Sequence, residues 1–254
     1  MCGRIAITLP PEAVREYFDY VERPNFPPRA NIAPTQPIPI VRVERMPDGT
    51  MARHFRLVRW GFLPPFVKDP KDYPLVINAR AETLDEKASF RNAIRRRRCL
   101  FVADAYYEWR RTPGLKGKGS STPFLIRRRD GAPLGLAGLW ESWMGPNGEE
   151  LETACTITTH ANGSLAAIHD RMPVIVEQKD FDRWLAIDDE RDTRPQRLMK
   201  PAEDDVLEFF EIGTAVNKVA NDGLWIQEPV APSARAGAKP VATALAEDPQ
   251  GTLF

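Results

Sequence analysis

The segment CLFVADAYYEW (99–109) is a run of mostly apolar and aromatic residues, which predicts a β-strand. Six further segments have a similar composition, and turn-forming sequences such as MPDG and PNGEE separate several of them. These segments are IPIVRV (38–43), FRLVRWGF (55–62), LVINAR (75–80), PFLIRRR (123–129), LGLAGLWESW (134–143) and TACTITTH (153–160). Strands therefore dominate the expected structure, and the fold class depends on how helices fall among them.

Helical patterns occur between these strands in no regular order. PPEAVREYFDYV (10–21) begins with prolines that suit a first helical turn, and its apolar residues share one side. Four more segments show helical patterns: 89–97, 161–169, 179–187 and 201–210. Because strands and helices do not alternate as in βαβ units, we predict an α+β fold with a curved, barrel-like, mostly antiparallel β core and peripheral helices.

The domain organisation follows from length and local composition. The 254 residues suffice for one sizeable core, which we assign to a single domain over 2–232. Residues 233–254 are rich in Ala, Pro and Gly and poor in large apolar side chains, so we expect a disordered tail. The segment RRTPGLKGKGSSTP (110–123) is predicted to be an exposed basic loop.

Charge, cysteine and histidine content narrow the functional classes. The chain has 35 basic and 35 acidic residues, so nucleic acid could bind only where basic groups are concentrated on one face. No segment is apolar enough to span a membrane, and no signal-peptide pattern is present, so we expect a cytoplasmic protein. The three cysteines and three histidines are scattered, which argues against a disulfide framework, a metal site or another cofactor.

The chain begins MCGR (1–4), which places a cysteine directly after the initiator methionine. Aminopeptidases remove Met1 when the next side chain is small, and Cys2 meets that condition. The mature chain would then begin with an α-amine and a thiol on adjacent carbons, a pair of nucleophiles that no internal cysteine offers. Random drift at position 2 explains the residue equally well when the motif is taken alone.

Five other polar stretches are unlike core strands. They contain Asn31; Asn78, Arg80 and Glu82 at alternate positions of one expected strand; Glu108; His169, Asp170 and Arg171 at an expected helix-to-strand junction; and Asn217 and Asn221. Each has a structural interpretation: Arg80 could pair with Glu82 or Glu108, His169 could end a helix, and Asn31 could form a turn. Together with Cys2, however, they supply a nucleophile, an acid/base carboxylate, an imidazole and two guanidinium groups, the usual contents of an active site.

Seven short motifs resemble the SRAP family, the SOS response-associated peptidases that process abasic sites and crosslink themselves to DNA. The motifs occur in the family's order over about residues 2–230. They are MCGR (1–4), NIAPTQ (31–36), WGFLP (60–64), INARAET (77–83), ADAYYEW (103–109), IHDRMPVIV (168–176) and VNKVANDG (216–223). The resemblance implies a monomeric protein that binds abasic single-stranded DNA, including junctions with double-stranded DNA, associates with the nucleoid, and needs no cofactor.

The chemistry of an N-terminal cysteine suits this function. An abasic site equilibrates with a ring-opened aldehyde, and an α-amine with a pKa of about 8 is partly neutral at cytosolic pH and can form an imine with it. The β-thiol of Cys2 can then attack the imine carbon and close a five-membered thiazolidine, a step favoured by proximity. A Cys2→Ala chain could form only the imine. The family also implies removal of Met1 by the protein itself, and a lyase or crosslink-reversal activity.

The resemblance assigns roles to individual residues. Asn78 would orient the opened sugar or the Cys2 amine, Glu108 would be the general acid/base, and His169 would donate a proton to the sugar oxygen. The expected DNA-binding residues are Arg4, Asn31, Arg80, Arg171, Trp60 and Phe66, with the guanidinium groups on phosphates and the aromatic rings against bases. Trp60 as a plain core residue is an equally good interpretation. The Arg95–Arg98 run is predicted to form a solvated helix face.

Two departures from the family pattern are visible. Ala105 and Tyr106 stand where relatives commonly have Gly and Phe, and Phe66 stands where they commonly have Trp. These differences bear on sequence and junction preference and leave the residues of the crosslinking chemistry in place.

Other functional classes remain open at the level of sequence. MCG also begins N-terminal-nucleophile glutamine amidotransferases, although the later motifs have no place in that class. A thiol autopeptidase and a non-catalytic single-stranded DNA binder are further alternatives. At the other end of the chain, QGTLF (250–254) resembles the peptide with which bacterial proteins bind the sliding clamp, with Leu253 and Phe254 filling an apolar pocket and Gln250 setting the register.

Overall fold

A computed structural model of the chain describes residues 2–113, 119–186 and 194–230. The predicted tail (233–254), its QGTLF peptide and the middle of the 110–123 loop lie outside these residues. The described part contains thirteen strands and four α-helices, together with short 3-10 helices. The strands are β1 (Ile5–Ile7), β2 (Arg29–Ile32), β3 (Pro37–Arg45), β4 (Met51–Trp60), β5 (Asn78–Arg80), β6 (Arg98–Ala103), β7 (Ala105–Thr112), β8 (Ser120–Arg128), β9 (Leu134–Met144), β10 (Glu150–His160), β11 (Arg171–Pro173), β12 (Ile175–Val176) and β13 (Leu207–Glu211). The helices are α1 (Pro11–Phe18), α2 (Ala88–Arg91), α3 (Ala93–Arg96) and α4 (Phe181–Leu185).

Five strands form a closed ring. β10 pairs with β4, β4 with β3, β3 with β6, β6 with β9, and β9 pairs back with β10. All of these pairs are antiparallel except β4–β10, which is parallel. Close strand packing requires a glycine at Gly138 on β9, because a Cβ there would lie 2.6 Å from the Phe101 ring. The prediction of an α+β fold with a barrel-like, mostly antiparallel core is confirmed.

A second sheet, in the order β13-β8-β7-β1-β2, carries the amino terminus. The sequence predicted one strand over 99–109, but the chain changes sheets at Asp104, where β6 of the barrel ends and β7 begins. The Asp104 carboxylate accepts hydrogen bonds from the backbone N–H groups of Thr8 and Leu9, the latter at 2.8 Å. This side chain therefore fixes the strand switch to the segment after β1, and it brings the two sheets together beside Cys2.

The helix predictions are partly wrong. Residues 161–169 form turns and not a regular helix, although Asn162 Oδ1 accepts a hydrogen bond from the Leu165 N–H as a helix N-cap does. The segment 201–210 instead contains strand β13, which pairs with β8 over Leu207–Glu211. The predicted helix over 89–97 is divided into α2 and α3. Helix α1 ends at Phe18 because Asp19 adopts a left-handed conformation, with φ of 53°.

The positions of Arg98 and Glu82 also differ from the sequence predictions. Arg98 does not lie on a solvated helix face: it begins β6, is buried, and its guanidinium donates to the carbonyls of Ile94 and Trp184. Glu82 does not continue the strand of Asn78 and Arg80, because the chain turns into a 3-10 helix over Ala81–Thr83. Its carboxylate therefore faces a different partner, described below.

Candidate active site

Cys2 lies immediately before β1, and its side chain is fully buried in the core between the two sheets. The amide of Asn78 donates a hydrogen bond of 2.8 Å to the Cys2 backbone carbonyl. The hydroxyl of Thr156 in turn donates to Asn78 Oδ1, across the parallel pairing of β5 with β10. Two residues that are far apart in sequence therefore hold the amino-terminal segment in one position.

Glu108 is the acidic group beside Cys2. It lies on β7, is only 5% exposed, and accepts a hydrogen bond of 3.2 Å from the Trp109 N–H. Burial and the Glu108 charge raise the pKa of the Cys2 thiol to about 12, while the amino terminus acts in the opposite direction. The thiol is therefore protonated in the resting protein, and a base must take its proton before the sulfur can attack.

His169 precedes β11 in the turn segment that follows β10. Its Nδ1 accepts a hydrogen bond of 3.0 Å from the Arg171 N–H, and it also lies 2.7 Å from Asp170 Oδ1. Nδ1 can accept from Arg171 only when it carries no proton, and it can donate to Asp170 only when it carries one. With Nδ1 as acceptor, the neutral ring carries its only proton on Nε2, where it can donate a hydrogen bond. To transfer a proton from Nε2 the ring must be the imidazolium, with its Nδ1–H facing Asp170.

The guanidinium of Arg171 forms an ion pair with the Glu82 carboxylate. The guanidinium makes two hydrogen bonds of 2.9 Å to the Glu82 carboxylate and a third, of 2.6 Å, to the Thr158 carbonyl, and Arg171 is only 8% exposed. Partial burial acts to raise the pKa of Glu82, but the hydrogen bonds and charge of Arg171 outweigh it and lower that pKa. The prediction that Arg171 binds phosphate is therefore corrected: its two terminal nitrogens already bind a carboxylate.

Arg80 is the exposed cation of this region. It ends β5 opposite Thr158 of β10, and its exposure leaves the side chain accessible to solvent. The exposed His160 lies on the same edge, where it faces Arg171 in the β10–β11 pairing and lies 3.6 Å from Glu82. Arg80 remains a candidate for binding a phosphate.

Arg4 and Asn31 fasten the late segment 214–227 to the amino terminus. Arg4 donates hydrogen bonds to Asn31 Oδ1 at 2.6 Å and to the Val216 carbonyl at 2.7 Å. The Asn31 amide donates to the carbonyls of Val216 and Asn221 and is fully buried. Asn31 is thus a structural residue, and the prediction that it contacts DNA is corrected. Arg4 is half-buried, and burial lowers its pKa.

The two aromatic residues predicted to contact bases lie in different environments. Trp60 is fully buried, packs edge-on against Phe101, and donates from Nε1 to the Ile77 carbonyl at 3.1 Å. It is a core residue, so the prediction of base stacking is corrected. Phe66 is 59% exposed beside Tyr73 and remains available for stacking.

Three contributors to this region escaped the sequence analysis as site residues: Thr156, Tyr106 and Trp109. Thr156 contacts Asn78 only because β5 pairs in parallel with β10, and no local sequence pattern predicts this pairing. Tyr106 and Glu108 are two residues apart on β7, so their side chains lie on the same face of the sheet. This two-residue periodicity is the sequence signal that points to Tyr106. Trp109 donates from Nε1 to Asn217 Oδ1 at 2.7 Å, and the Arg4 guanidinium lies 5.7 Å from its ring centroid.

A profile of the SOS response associated peptidase (SRAP) family matches residues 1–219. The chain belongs to the SRAP family. Among its relatives, the abasic site processing protein YoqW of Bacillus subtilis is 36% identical over 228 residues, which cover 87% of this chain and 96% of that protein. The abasic site processing protein HMCES of Xenopus tropicalis is 28% identical over 258 residues, covering 87% of this chain and 76% of that protein.

A solved structure has a similar fold. A protein from Bacteroides thetaiotaomicron superposes with a TM-score of 0.76 at 25% identity, covering 91% of this chain and all of that one. Within the described part of this SRAP chain, no cluster of three or more His, Cys, Asp and Glu residues could hold a metal ion. No helix in the same residues is long and apolar enough to cross a membrane. A cavity of about 640 Å³, lined in part by Arg15, Tyr20 and Arg53, contains none of the predicted site residues.

Proposed function

We propose that this protein recognises abasic sites in single-stranded DNA and captures them covalently through Cys2 after Met1 is removed. The observation that carries the proposal is the placement of Cys2: its carbonyl is held by Asn78 and its thiol lies in the field of the Glu108 carboxylate. The names of the SRAP relatives in Bacillus and Xenopus give the substrate class. The product would shield the abasic site while DNA replication or repair proceeds.

The first chemical step is formation of an imine. The neutral α-amine of Cys2 attacks the C1′ aldehyde carbon of the ring-opened sugar, so that a C–N bond forms and the carbonyl oxygen takes a proton. Loss of this oxygen as water then gives the imine. Glu108 suits the proton transfers because it is a carboxylate close enough to Cys2 for its charge to act on the thiol, and it is buried from bulk water. His169 suits the preceding step, in which the sugar ring opens and its ring oxygen needs a proton.

The second step closes the thiazolidine. The thiol proton passes to Glu108, the sulfur attacks the imine carbon, and the C=N π electrons move to nitrogen, which takes up the proton. No atom is lost in this step, and no cofactor is required. Because thiol and amine belong to one residue, the sulfur is already within reach of the carbon that it attacks. Opening of the ring by the reverse path, followed by hydrolysis of the imine, would release the intact abasic DNA and give a slow reversal activity. A lyase activity would instead need the imine to lose the 3′ phosphate by β-elimination.

DNA would reach this centre along the surface that carries Arg80 and Phe66. Arg80 is exposed at the end of β5, two residues from Asn78, and can bind a flanking phosphate. Phe66 is exposed and can stack on a base, and stacking does not require a particular sequence. Arg4 supports this surface from beneath, because it ties Trp109 and the 214–227 segment to the amino terminus.

An oligonucleotide with one abasic site tests the proposal. We expect wild-type protein to form an adduct that survives heating in denaturant without borohydride. Cys2→Ala protein from which an aminopeptidase has removed Met1 should form an adduct only when borohydride traps the imine. Glutamine hydrolysis without any adduct would instead support the amidotransferase alternative, and Cys2-independent reversible binding would support a non-catalytic DNA binder.

Removal of Met1 must precede this chemistry, and we propose that the protein performs it. Alanine and cysteine at position 2 are both small enough for a cellular aminopeptidase, so that enzyme would process wild-type and Cys2→Ala chains alike. When both chains are made without aminopeptidase activity, self-processing by the thiol predicts that Met1 leaves the wild-type chain and stays on the Cys2→Ala chain, which intact mass reveals. Retention of Met1 on both proteins would assign the cleavage to the aminopeptidase.

A further inference from the structure

The hydroxyl of Tyr106 is a buried polar group that the chemistry above does not use. Tyr106 is 1% exposed, and within the described residues its hydroxyl has no hydrogen-bond partner. Buried hydroxyls nearly always have partners, so an exception needs an explanation. The neighbouring Tyr107 shows the usual arrangement: its hydroxyl donates to the Ala30 carbonyl and accepts from the Gln227 amide.

The fold directs Tyr106 toward the proposed reaction centre. Tyr106 lies opposite Ile5 in the pairing of β1 with β7, three residues from Cys2 along the opposing strand. Glu108 follows Tyr106 by two residues on β7, so both side chains lie on the same face of the sheet. Tyr106 and Cys2 also belong to one cluster of buried side chains. Burial raises the pKa of Tyr106 well above its ordinary range, and charges on Cys2 and Glu108 add to the increase.

We propose that the Tyr106 hydroxyl donates a hydrogen bond to the Cys2 sulfur as the thiol ionises, and so promotes closure of the thiazolidine ring. This inference rests on the proposed function and adds Tyr106 to Cys2, Glu108 and His169, so that position 106 would act in the chemistry and not only in DNA preference. This role explains the unpaired hydroxyl, because a neutral thiol is only a weak acceptor and the sulfur becomes a strong acceptor when it ionises.

The electrostatics of the pocket explain why a donor is needed there. Burial and the Glu108 carboxylate both oppose a thiolate at Cys2, and the opposing charge of the chain's amino terminus leaves with Met1. The new Cys2 amine reacts in its neutral form and then as the imine. When the thiol proton moves to Glu108, negative charge moves from that carboxylate to the sulfur. A neutral phenol that donates to this charge stabilises it, and a hydrogen bond to an anion in a buried site is strong. Tyr106 itself keeps its proton, so the step remains balanced.

Tyr106→Phe removes only the hydroxyl, and Tyr107→Phe is the matched control. With the abasic oligonucleotide, we expect Tyr106→Phe to form the borohydride-trappable imine at the wild-type rate and to form the borohydride-independent adduct about tenfold more slowly. Tyr107→Phe should change neither rate, although it loses structural hydrogen bonds. Equal slowing of both steps by Tyr106→Phe, or no slowing of closure, would overturn the proposal.

A second measurement needs no DNA, so it separates failure of this inference from failure of the proposed function. Iodoacetamide reacts with thiolates, and mass spectrometry of the amino-terminal peptide distinguishes Cys2 from the buried Cys99 and Cys155. At pH 8 we expect alkylation of Cys2 to be about tenfold slower in Tyr106→Phe than in wild type. Equal rates would contradict the hydrogen bond to sulfur even if wild-type protein forms the adduct. If wild-type protein forms no adduct, slower alkylation still supports the hydrogen bond while the proposed function fails.

The melting temperature provides the remaining check. Because the Tyr106 hydroxyl has no partner in the resting protein, its removal should leave the melting temperature unchanged or raise it. A clear decrease would show that the hydroxyl is already satisfied at rest, and this would overturn the proposal.

Discussion

The side-chain amide of Asn78 donates a 2.8 Å hydrogen bond to the backbone carbonyl of Cys2, and this contact fixes the amino terminus against strand β5. Thr156 holds the other end of the same amide by donating to its oxygen. The amide can satisfy both partners only in one orientation, because one end donates and the other accepts. The position of the Cys2 amine and thiol is therefore set by residues of the barrel wall.

Replacing Asn78 by Asp should slow crosslinking by about tenfold, because the ionised carboxylate cannot donate to the Cys2 carbonyl and repels it. The measurement is the single-turnover rate of the heat-stable adduct with an abasic oligonucleotide. Asn147→Asp, in the exposed turn between β9 and β10, is the matched control and should react like wild type. Wild-type rates in Asn78→Asp would show that the hydrogen bond does not position the nucleophile.

Glu108→Gln should change two rates in opposite directions. The Glu108 charge helps to raise the pKa of the Cys2 thiol, so its removal lowers that pKa and should speed alkylation by iodoacetamide at pH 8. Thiazolidine formation should nevertheless slow by about a hundredfold, because the general base is lost. Both rates are measured on the same preparation.

Glu141→Gln is the control for Glu108. Glu141 is also a buried carboxylate, but it lies on β9 and forms an ion pair of 2.8 Å with Arg97. Its replacement should leave the reactivity of Cys2 unchanged. Parallel changes of alkylation and crosslinking in Glu108→Gln would contradict the assignment of Glu108 as the base.

His169→Gln should slow both capture and release of the DNA by about a hundredfold, because the amide can form hydrogen bonds but cannot transfer a proton to and from the sugar oxygen. Release is followed by transfer of the protein from its adduct to an excess of a second, longer abasic oligonucleotide. His54→Gln, which changes a histidine next to Glu22 on β4, serves as control. Unaltered transfer in His169→Gln would exclude His169 as the proton donor.

Glu22 should make stability depend on pH in the acid range. Partial burial acts to raise its pKa, but hydrogen bonds from His54, the Phe55 N–H and Arg56 lower it from 4.5 to about 2. The unfolded chain therefore binds the proton more readily, and the stabilisation is complete above pH 4.5 and is lost as the pH falls toward 2. Urea unfolding midpoints measured from pH 7 to pH 3 should fall less steeply for Glu22→Gln than for wild type. Glu16→Gln, on the exposed side of α1, should retain the wild-type slope.

The carboxyl-terminal QGTLF peptide predicts binding to a bacterial sliding clamp. Deleting 250–254 should abolish retention of the protein on immobilised clamp, while crosslinking to an abasic oligonucleotide continues at the wild-type rate. Leu253→Ala with Phe254→Ala should have the same effect, because these side chains would fill the apolar pocket. Equal retention of the full-length and shortened chains would exclude this partner site.

The extent to which sequence predicts this structure depends on whether a residue's environment is local. Alternating apolar segments correctly indicate β3, β4, β8, β9 and β10, because half-buried strands leave that pattern in their own residues. The break at Asp104 was missed because it depends on hydrogen bonds with Thr8 and Leu9, which lie almost one hundred residues away. Strand β13 was taken for a helix because its pairing with β8 overrides local propensity.

The site shows the same division. Cys2, Asn78 and Glu108 were found from motifs, and the structure brings Asn78 into contact with Cys2 and places the Glu108 charge near its thiol. The partners of Arg171 and Asn31 could not be predicted from local sequence, because they come from distant segments. Glu82 binds Arg171, and the carbonyls of Val216 and Asn221 bind Asn31. Motifs therefore select candidate residues, and the fold shows which of these are already bound by groups from distant segments.

Intact mass spectrometry before and after incubation with a single-stranded abasic oligonucleotide tests the central claim most directly. The account predicts that the purified protein lacks Met1 and gains the mass of the oligonucleotide minus one water, without borohydride and through heating, and that Cys2→Ala does not. A processed amino terminus with no such adduct would contradict covalent capture by Cys2, and an adduct of equal stability on Cys2→Ala would contradict the thiazolidine.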